Sequence, residues 1–309
     1  MKKQFLYDSV GIGKIAATCW EPKTAPVGIV QIIHGIAEHC ARYEEFALYL
    51  NSLGYAVVAE DHMGHGKSCE QGSVKGFFYG GWWAAVEDVC TLMRKTMEQF
   101  PGVPYILFGH SMGSFMARTI LIRHPDCGIN GCVICGTGWQ PEAVLGAGKM
   151  LANSVCKLFD PQKPSGLLHN IAFGSYNKRV ERPRTPHDWL TRDAAVVDAY
   201  AADPMCGFQA SAGLMGDMFE GIGYIQRQES LAQMRKDLPV FFIAGGDDPV
   251  GDYGKGVLKS AQAFKDAGMN CVTTKIYPLC RHEILNEINK NDVYKDISDW
   301  INSIIYCTN

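Results

Sequence analysis

The first 135 residues alternate between short apolar runs and longer stretches whose apolar residues recur at helical spacing. Runs rich in β-branched residues favour strands, whereas recurrence every three or four residues favours amphipathic helices. Strands are predicted, in chain order, at 28–33, 55–59, 105–108 and about 131–135. Helices are predicted at about 43–50, with Gly54 just past the end, at about 82–100 and from about 112. This alternation predicts an α/β fold, with a mostly parallel sheet and helices on both faces.

The alternation stops at about residue 138 and resumes at about 236. The intervening stretch has the pattern of helices and loops, and it is followed by predicted strands at 240–243 and 272–277. The late strands need the early ones to complete a sheet, so a second independent domain is not favoured. The sequence therefore predicts one core, residues 1–137 and 236–309, that carries an inserted, mainly helical cap at 138–235.

Composition narrows the class of protein. The chain has 309 residues, of which 47% are hydrophobic and 20% charged. These values are typical of a globular protein and exclude a disordered chain or a coiled coil. The net charge of −3 is spread without long runs of one sign, so no nucleic-acid partner is expected.

Two features favour a cytoplasmic location. Lys2 and Lys3 resemble the start of a signal peptide, but Asp8 comes before an apolar segment of the necessary length can form. No later run approaches the roughly 18 apolar residues of a membrane-spanning helix. The twelve cysteines lack framework spacing, so reduced thiols are expected. Cys132 and Cys135 form a Cys-x-x-Cys pair on a predicted strand, where residues three apart point to opposite faces. We therefore predict core packing for this pair, with neither a metal nor a redox role.

Residues 109–113 read Gly-His-Ser-Met-Gly and lie directly between a predicted strand and a predicted helix. This is the context of a nucleophilic serine on a tight turn. Glycine on both sides relieves steric crowding, and the N-terminus of the following helix favours developing negative charge. Ser111 is therefore the candidate nucleophile. The alternative is a glycine-rich turn with an incidental serine.

A serine hydroxyl needs a base, and the base needs an acid that orients it. Of the nine histidines, His282 alone follows the resumed strands, and its alternative interpretation is a surface residue at a helix start. The acid is expected after the strand at 240–243, where Asp247 and Asp248 are adjacent. Spacing does not distinguish the two. We favour Asp248, which precedes Pro249, and assign the other to the turn.

A tetrahedral intermediate also needs backbone N–H donors for its oxyanion. One donor is expected from Met112, the residue after the candidate nucleophile. The other is expected from Ile36 in the loop after the first predicted strand, because Gly35 permits close approach of the backbone.

The segment 61–68, Asp-His-Met-Gly-His-Gly-Lys-Ser, contains residue types that bind metals. Asp61, His62 and His65, together with Asp247, would be the ligands of such a site. We favour a support loop in which Asp61 and the histidines hydrogen-bond the neighbouring backbone. No metal and no cofactor are therefore expected.

Taken together, these segments resemble the monoacylglycerol lipase and lysophospholipase-like branch of the α/β-hydrolase superfamily. That branch carries H-G-x-G-E-H followed by R-Y, then D-H-x-G-H-G-x-S, then G-H-S-M-G-G. The matching segments here are 34–39 with Arg42 and Tyr43, 61–68, and 109–114.

The resemblance implies an α/β-hydrolase fold with a cap and assigns a role to each candidate residue. The implied residues are the triad Ser111, Asp248 and His282 and the oxyanion donors Ile36 and Met112. Two positions depart from the pattern, since Ala37 and Ser114 stand where the family has glycine. Neither departure removes a catalytic group, although Ala37 restricts the backbone of its loop.

The predicted cap is rich in apolar side chains, and two uses for them stay open. They line an acyl pocket above Ser111, or they form the core that a small cap needs. They include Leu167, Leu168, Ile171, Phe173, Trp189, Leu190, Val196, Val197, Tyr200, Met205, Phe208, Leu214, Met215, Met218, Phe219, Ile222 and Tyr224. An apolar face on an early cap helix would give weak peripheral contact with a membrane. That face comprises Val144, Leu145, Met150, Leu151 and Val155.

We predict a serine hydrolase that cleaves carboxylic esters with a medium apolar acyl or alcohol part through an acyl-enzyme on Ser111. Its partner is then a small-molecule ester such as a monoacylglycerol or a lysophospholipid, and the oligomeric state stays open. The alternatives are an aminopeptidase, a thioesterase or a C–C hydrolase with the same triad, or a binding protein without turnover.

Overall fold

The computed structural model describes residues 1–307, and residues 308 and 309, at the end of the predicted core, lie outside the described residues. The described chain contains eight strands. They are β1 (Lys2–Asp8), β2 (Lys14–Trp20), β3 (Gly28–Ile33), β4 (Tyr55–Asp61), β5 (Tyr105–His110), β6 (Gly131–Cys135), β7 (Val240–Gly245) and β8 (Val272–Tyr277). They form one sheet in the order β1-β2-β4-β3-β5-β6-β7-β8.

The predicted mostly parallel sheet is confirmed, with an antiparallel addition at one edge. The neighbouring pairs β4–β3, β3–β5, β5–β6, β6–β7 and β7–β8 are parallel, whereas β1–β2 and β2–β4 are antiparallel. The sequence did not predict β1 and β2. In β1 only Tyr7 is buried, because this strand lies at the edge of the sheet, and β2 contains two alanines, a residue type that is depleted in strands.

Ten α-helices accompany the sheet within the described residues. They are α1 (Glu44–Ser52), α2 (Gly81–Gln99), α3 (Met112–Arg123), α4 (Glu142–Leu158), α5 (Gly166–Phe173), α6 (Ala194–Ala202), α7 (Ala212–Ile225), α8 (Gln228–Leu231), α9 (Lys255–Asp266) and α10 (Lys290–Cys307). Helices α1 and α10 contribute to the core on one face of the sheet, and α2, α3 and α9 to the core on the other. The predicted covering of both faces is therefore confirmed.

The two faces explain the Cys-x-x-Cys pair. Cys132 packs in the core beside α2, α3 and α9, whereas Cys135 packs in the core beside α1 and α10. Both thiols are fully buried and free. They lie on opposite faces of β6, as the strand period predicts.

Helices α4–α8 follow β6 and precede β7, and we call residues 138–235 the inserted segment. None of the eight strands belongs to it. Helix α7 contacts α2 and α3 of the sheet layer as well as α4, and its Leu214 and Met215 join the core on that face. The inserted segment therefore packs directly on the sheet layer. The exact boundaries of the cap stay a prediction.

Loops at the carboxyl ends of the parallel strands carry the candidate residues, as expected for a sheet of this type. The loop after β3 contains Ile36, Ser111 directly follows β5, Asp248 follows β7, and His282 follows β8. Within residues 1–307, no helix combines the length and the apolar character needed to cross a membrane.

Candidate active site

Ser111 occupies the turn between β5 and α3. Its φ of +54° is rare for a residue with a side chain, and its N–H donates to the Cys135 carbonyl oxygen (3.0 Å). The turn leaves no room for a side chain at Gly109 or Gly113, the glycines two residues before and after Ser111. A Cβ on Gly109 would overlap the Gly113 backbone, and a Cβ on Gly113 would overlap the Ile33 carbonyl oxygen. The backbone therefore fixes Ser111 at the wall of a cavity, with 9% of its surface exposed.

His282 and Asp248 are in direct contact. The Nδ1 atom of His282 lies 2.9 Å from Oδ2 of Asp248, and both side chains are buried. The other oxygen of Asp248 accepts the N–H of Val250 (2.8 Å). Asp247 is exposed on the same turn. A carboxylate at Nδ1 favours the tautomer whose free Nε2 accepts a proton.

The loop of residues 34–39 runs beside Ser111. A Cβ on Gly35 would lie 3.0 Å from the Ser111 Cβ, so this glycine allows the close approach. Ile36 and Met112, whose amides are the predicted oxyanion donors, both line the cavity. The loop also contacts the inserted segment, because the Ala37 carbonyl accepts the Tyr200 hydroxyl (2.9 Å) and the Gly207 N–H (2.9 Å).

A buried network of charged groups lies behind these residues, and the sequence analysis did not identify it. Glu38 accepts hydrogen bonds from the Gly35 N–H (2.6 Å), the Tyr43 hydroxyl (2.9 Å) and Arg42 (2.7 Å). Arg42 also donates two hydrogen bonds to Glu283, each 2.6 Å long. Glu283 directly follows His282, so the network joins the loop after β3 to the loop after β8.

Neighbouring groups in the network shift the pKa values of Glu38, Glu283 and His110. Burial alone would raise the pKa of Glu38, but the hydrogen bond of His110 and the charge of Arg42 hold that pKa well below its usual range. Burial likewise opposes ionisation of Glu283, and Arg42 outweighs it, so the pKa of Glu283 is lowered. Burial disfavours protonated His110, yet the carboxylate of Glu38 raises the pKa of His110 above its ordinary value. Arg42 therefore favours the carboxylate forms of Glu38 and Glu283, and Glu38 in turn favours the protonated form of His110.

The segment 61–68 makes the backbone contacts expected of a support loop. Asp61 accepts the N–H groups of Cys40 and Lys67, each at 2.8 Å. His62 lies 3.1 Å from the His34 carbonyl oxygen, and His65 lies 3.1 Å from the Met63 carbonyl oxygen. Burial, aided by the neighbouring His62, lowers the pKa of His65 to about 3, which keeps this imidazole neutral.

Two groups among residues 1–307 have three metal-binding side chains close together. They are His39 with Asp203 and Cys206, and Glu87 with Cys90 and His124. Each contains an imidazole already paired with a carboxylate, His39 to Asp203 at 2.9 Å and His124 to Glu87 at 2.8 Å. Asp61 and Asp247, named above as metal-ligand alternatives, belong to neither group.

A cavity of about 1030 Å³ opens above Ser111, between the sheet and the inserted segment. The apolar side chains of the inserted segment fall into two groups, one that lines this cavity and one that is buried in the protein core. Those lining the cavity include Leu151, Ile171, Phe173, Trp189, Met218, Phe219 and Ile222. Others, including Leu168, Val197, Leu214 and Met215, are buried away from it.

The predicted membrane-facing side of α4 is divided. Leu145 is buried and Leu151 lines the cavity, so neither forms part of an outer surface. Val144 and Met150 are exposed. Val144 also lines the cavity, which places it at the mouth.

Comparison with known proteins identifies the family of this chain. Residues 24–289 match the Hydrolase_4 family, described as serine aminopeptidase, S33. A monoacylglycerol lipase of Mycolicibacterium smegmatis is 29% identical over 303 residues, which cover 97% of each chain. The human monoglyceride lipase is 27% identical over 289 residues, covering 91% of this chain and 84% of the relative.

A solved structure of an esterase is similar to this chain over nearly its whole length. The thermostable carboxyl esterase from Bacillus coagulans, solved in complex with glycerol, superposes with a TM-score of 0.92 and 31% identity. The superposition covers 98% of this chain and 99% of the esterase. The chain therefore belongs to the Hydrolase_4 family and, within the α/β-hydrolases, to the monoglyceride lipase-like branch.

Proposed function

We propose that Ser111, Asp248 and His282 form the catalytic triad of this ester hydrolase. The observation that carries the proposal is the contact of 2.9 Å between His282 and Asp248, in a site where His282 and Ser111 line one cavity. Asp248 fixes the imidazole tautomer and stabilises the imidazolium that forms during the reaction. The neighbouring Asp247 has no such position, because it is exposed.

The reaction proceeds through an acyl-enzyme. His282 accepts the hydroxyl proton as the Ser111 oxygen attacks the ester carbonyl, and the amides of Ile36 and Met112 donate to the resulting oxyanion. His282 then gives the proton to the leaving alcohol. Water then attacks the acyl-enzyme with His282 again acting as base, and His282 gives that proton to the departing Ser111 oxygen as the carboxylic acid is released. Each oxyanion donor of this kind contributes about 3 kcal/mol to transition-state stabilisation.

We propose monoacylglycerol-like esters with a medium apolar acyl chain as substrates. The cavity volume of about 1030 Å³ lies at the upper end of small-molecule sites, and aromatic and aliphatic side chains line much of it. The inserted segment supplies many of these side chains and so acts as a cap that selects the acyl chain. The lipase names of the relatives and the glycerol bound to the Bacillus coagulans esterase support a glycerol ester.

The aminopeptidase alternative is less well supported. An aminopeptidase needs an acidic group that binds the free ammonium of its substrate. Three carboxylates line the cavity, and the two buried ones, Glu38 and Glu283, already bind Arg42, which leaves the exposed Asp252. Rates of turnover for p-nitrophenyl esters, acyl thioesters and amino-acid arylamides distinguish the hydrolase classes. Covalent labelling by a fluorophosphonate probe distinguishes an enzyme from a binding protein without turnover.

Ser111→Ala tests the proposed function. We expect a loss of kcat on the order of 10⁴-fold or more for p-nitrophenyl esters, because the triad acts as a unit. The variant is also expected to lose labelling by a fluorophosphonate. Ser303→Ala, at an exposed serine on α10, is the matched control and is expected to match the wild type. Retained turnover by Ser111→Ala would contradict the assignment.

We also propose weak peripheral contact between the inserted segment and lipid surfaces. Met150 and Phe159 are 71% and 68% exposed, respectively, and Val144 and Ile171 are exposed side chains that also line the cavity. An apolar rim of this kind would let a lipidic ester pass from a bilayer to the cavity.

We also propose a cytoplasmic location. The described cysteines, from Cys19 to Cys280, are free thiols, and free thiols are typical of a reducing compartment.

A further inference from the structure

We propose that Glu38 is a positioning residue that holds the 34–39 loop and the loop of residues 278–287 together around Ser111. This inference rests on the proposed function, because it assigns the two loops their parts in ester hydrolysis. Glu38 itself does not act on the substrate. Its carboxylate fixes the backbone and side chains that do.

The first link joins Glu38 to the oxyanion backbone. One carboxylate oxygen accepts the Gly35 N–H at 2.6 Å, and Gly35 precedes Ile36, whose amide is the proposed donor. A Cβ on Gly35 would lie 2.6 Å from that oxygen and 3.0 Å from the Ser111 Cβ. The carboxylate, the loop backbone and the nucleophile are therefore packed around one glycine. A shift of the carboxylate would move the amide of Ile36 relative to Ser111.

The second link joins Glu38 to the loop that carries the base. Arg42 donates one hydrogen bond to Glu38 (2.7 Å) and two to Glu283 (2.6 Å each). The Glu283 N–H in turn donates to the Leu190 carbonyl oxygen (2.7 Å), so the backbone beside His282 is held from both sides. Only a planar guanidinium has a donor geometry that bridges two carboxylates in this way.

The third link passes through the residue before the nucleophile. The Nδ1 atom of His110 lies 3.2 Å from Glu38 and 2.9 Å from the Tyr43 hydroxyl oxygen. Its Nε2 atom lies 3.4 Å from the His282 carbonyl oxygen, and the two imidazole rings are 4.7 Å apart. Glu38 thus contacts a chain of groups that ends at the catalytic imidazole. Because all of these side chains are buried, replacing one alters the partners of the others.

Glu38→Gln tests the proposal by keeping the side-chain size while removing the charge. We expect kcat for p-nitrophenyl esters to fall by on the order of 10²-fold, because small displacements of reacting groups have effects of that size. KM is expected to stay within about twofold, since glutamine has the size of glutamate and the aromatic and aliphatic side chains that line the cavity are unaltered. Arg42→Lys keeps the positive charge but loses the bridge, and we expect a similar loss of kcat. Glu87→Gln, at a carboxylate paired with His124 away from the cavity, is the matched control.

A double-mutant cycle separates positioning from independent structural effects. Because Arg42 bridges Glu38 and Glu283, the losses in kcat from Glu38→Gln and Glu283→Gln are expected to be non-additive. Additive losses would overturn the link, and so would a folded Glu38→Gln variant with wild-type kcat. If Glu38→Gln fails to fold in a thermal melt, Arg42→Lys carries the same test, and wild-type kcat in that variant overturns the proposal. Turnover that persists in Ser111→Ala would instead contradict the proposed function itself.

Discussion

Ala37 adopts a left-handed backbone conformation, with φ of +55°. An L-residue with a Cβ pays about 1–2 kcal/mol in this region, whereas glycine adopts it freely. The position matters because the Ala37 carbonyl accepts hydrogen bonds from Tyr200 and Gly207 of the inserted segment. These contacts hold a conformation that the alanine side chain itself disfavours.

Ala37→Gly is therefore expected to leave the free energy of unfolding within about 0.5 kcal/mol of the wild type, because relief of strain offsets the loss of a methyl group and the added chain entropy. Ala47→Gly, at a fully buried position in α1, relieves no such strain. It is expected to cost about 1–2 kcal/mol. Urea unfolding of both variants measures the difference, and equal losses would show that Ala37 is not strained.

The position of a single residue could be predicted from the sequence where its immediate neighbours determine the local structure. Ser111 has a strand, a glycine-flanked turn and a helix around it, and the structure has all three at the predicted place. Arg42 and Glu283 were not predicted to pair because 241 positions separate them and each is an ordinary surface residue by type. Their contact depends on two strand ends meeting at one edge of the sheet.

At the scale of elements, helical periodicity predicted α4 but not how its apolar residues are shared. Leu145 and Leu151 turn inward, whereas Met150 is exposed, because the helix lies across the mouth of the cavity. Periodicity identifies an apolar face without saying whether protein or solvent covers it. Strand β1 escaped prediction because it lies at the edge of the sheet and lacks a continuous apolar run. Strand β2 lies between β1 and β4, but its buried run is short and includes two alanines, which favour strands only weakly.

Met150→Glu combined with Phe159→Glu tests the proposed lipid contact. We expect binding to phosphatidylcholine vesicles to fall severalfold in a sedimentation assay, because charge at an apolar rim opposes insertion. Neither residue lines the cavity, so turnover of a short soluble ester is expected to stay unchanged. Leu48→Glu, which replaces a leucine 54% exposed on α1, is the control. Equal vesicle binding by all three proteins would contradict the contact.

For the whole molecule, the buried network predicts how stability depends on pH. The pKa of Glu283 is lowered in the folded protein, so its contribution is complete above the unfolded value of about 4.3. The contribution is lost as the pH falls through the lower folded value. We therefore expect the free energy of unfolding to fall more steeply on acidification in the wild type than in Glu283→Gln.

Other carboxyl groups act in the opposite direction but do not affect this comparison. Burial raises the pKa of Asp88 to about 6 and that of Asp217 to about 7, so their contributions decrease as the pH rises towards those values. Both groups are present in the wild type and in Glu283→Gln. Urea unfolding at several pH values between about 3 and 7 measures the difference. Parallel curves would contradict a role for the lowered pKa of Glu283.

The inserted segment also determines the order in which the molecule can be assembled. Strands β6 and β7 are neighbours in the sheet, although the whole inserted segment separates them along the chain. Pairing them closes a far longer loop than joining β3 to β4 does, and the entropy cost grows with loop length. Asp248 and His282 lie beyond that closure, while Ser111 lies before it. With the proposed triad, catalytic competence would arise only once β7 and β8 have joined the sheet, and regained activity after dilution from denaturant would report that step.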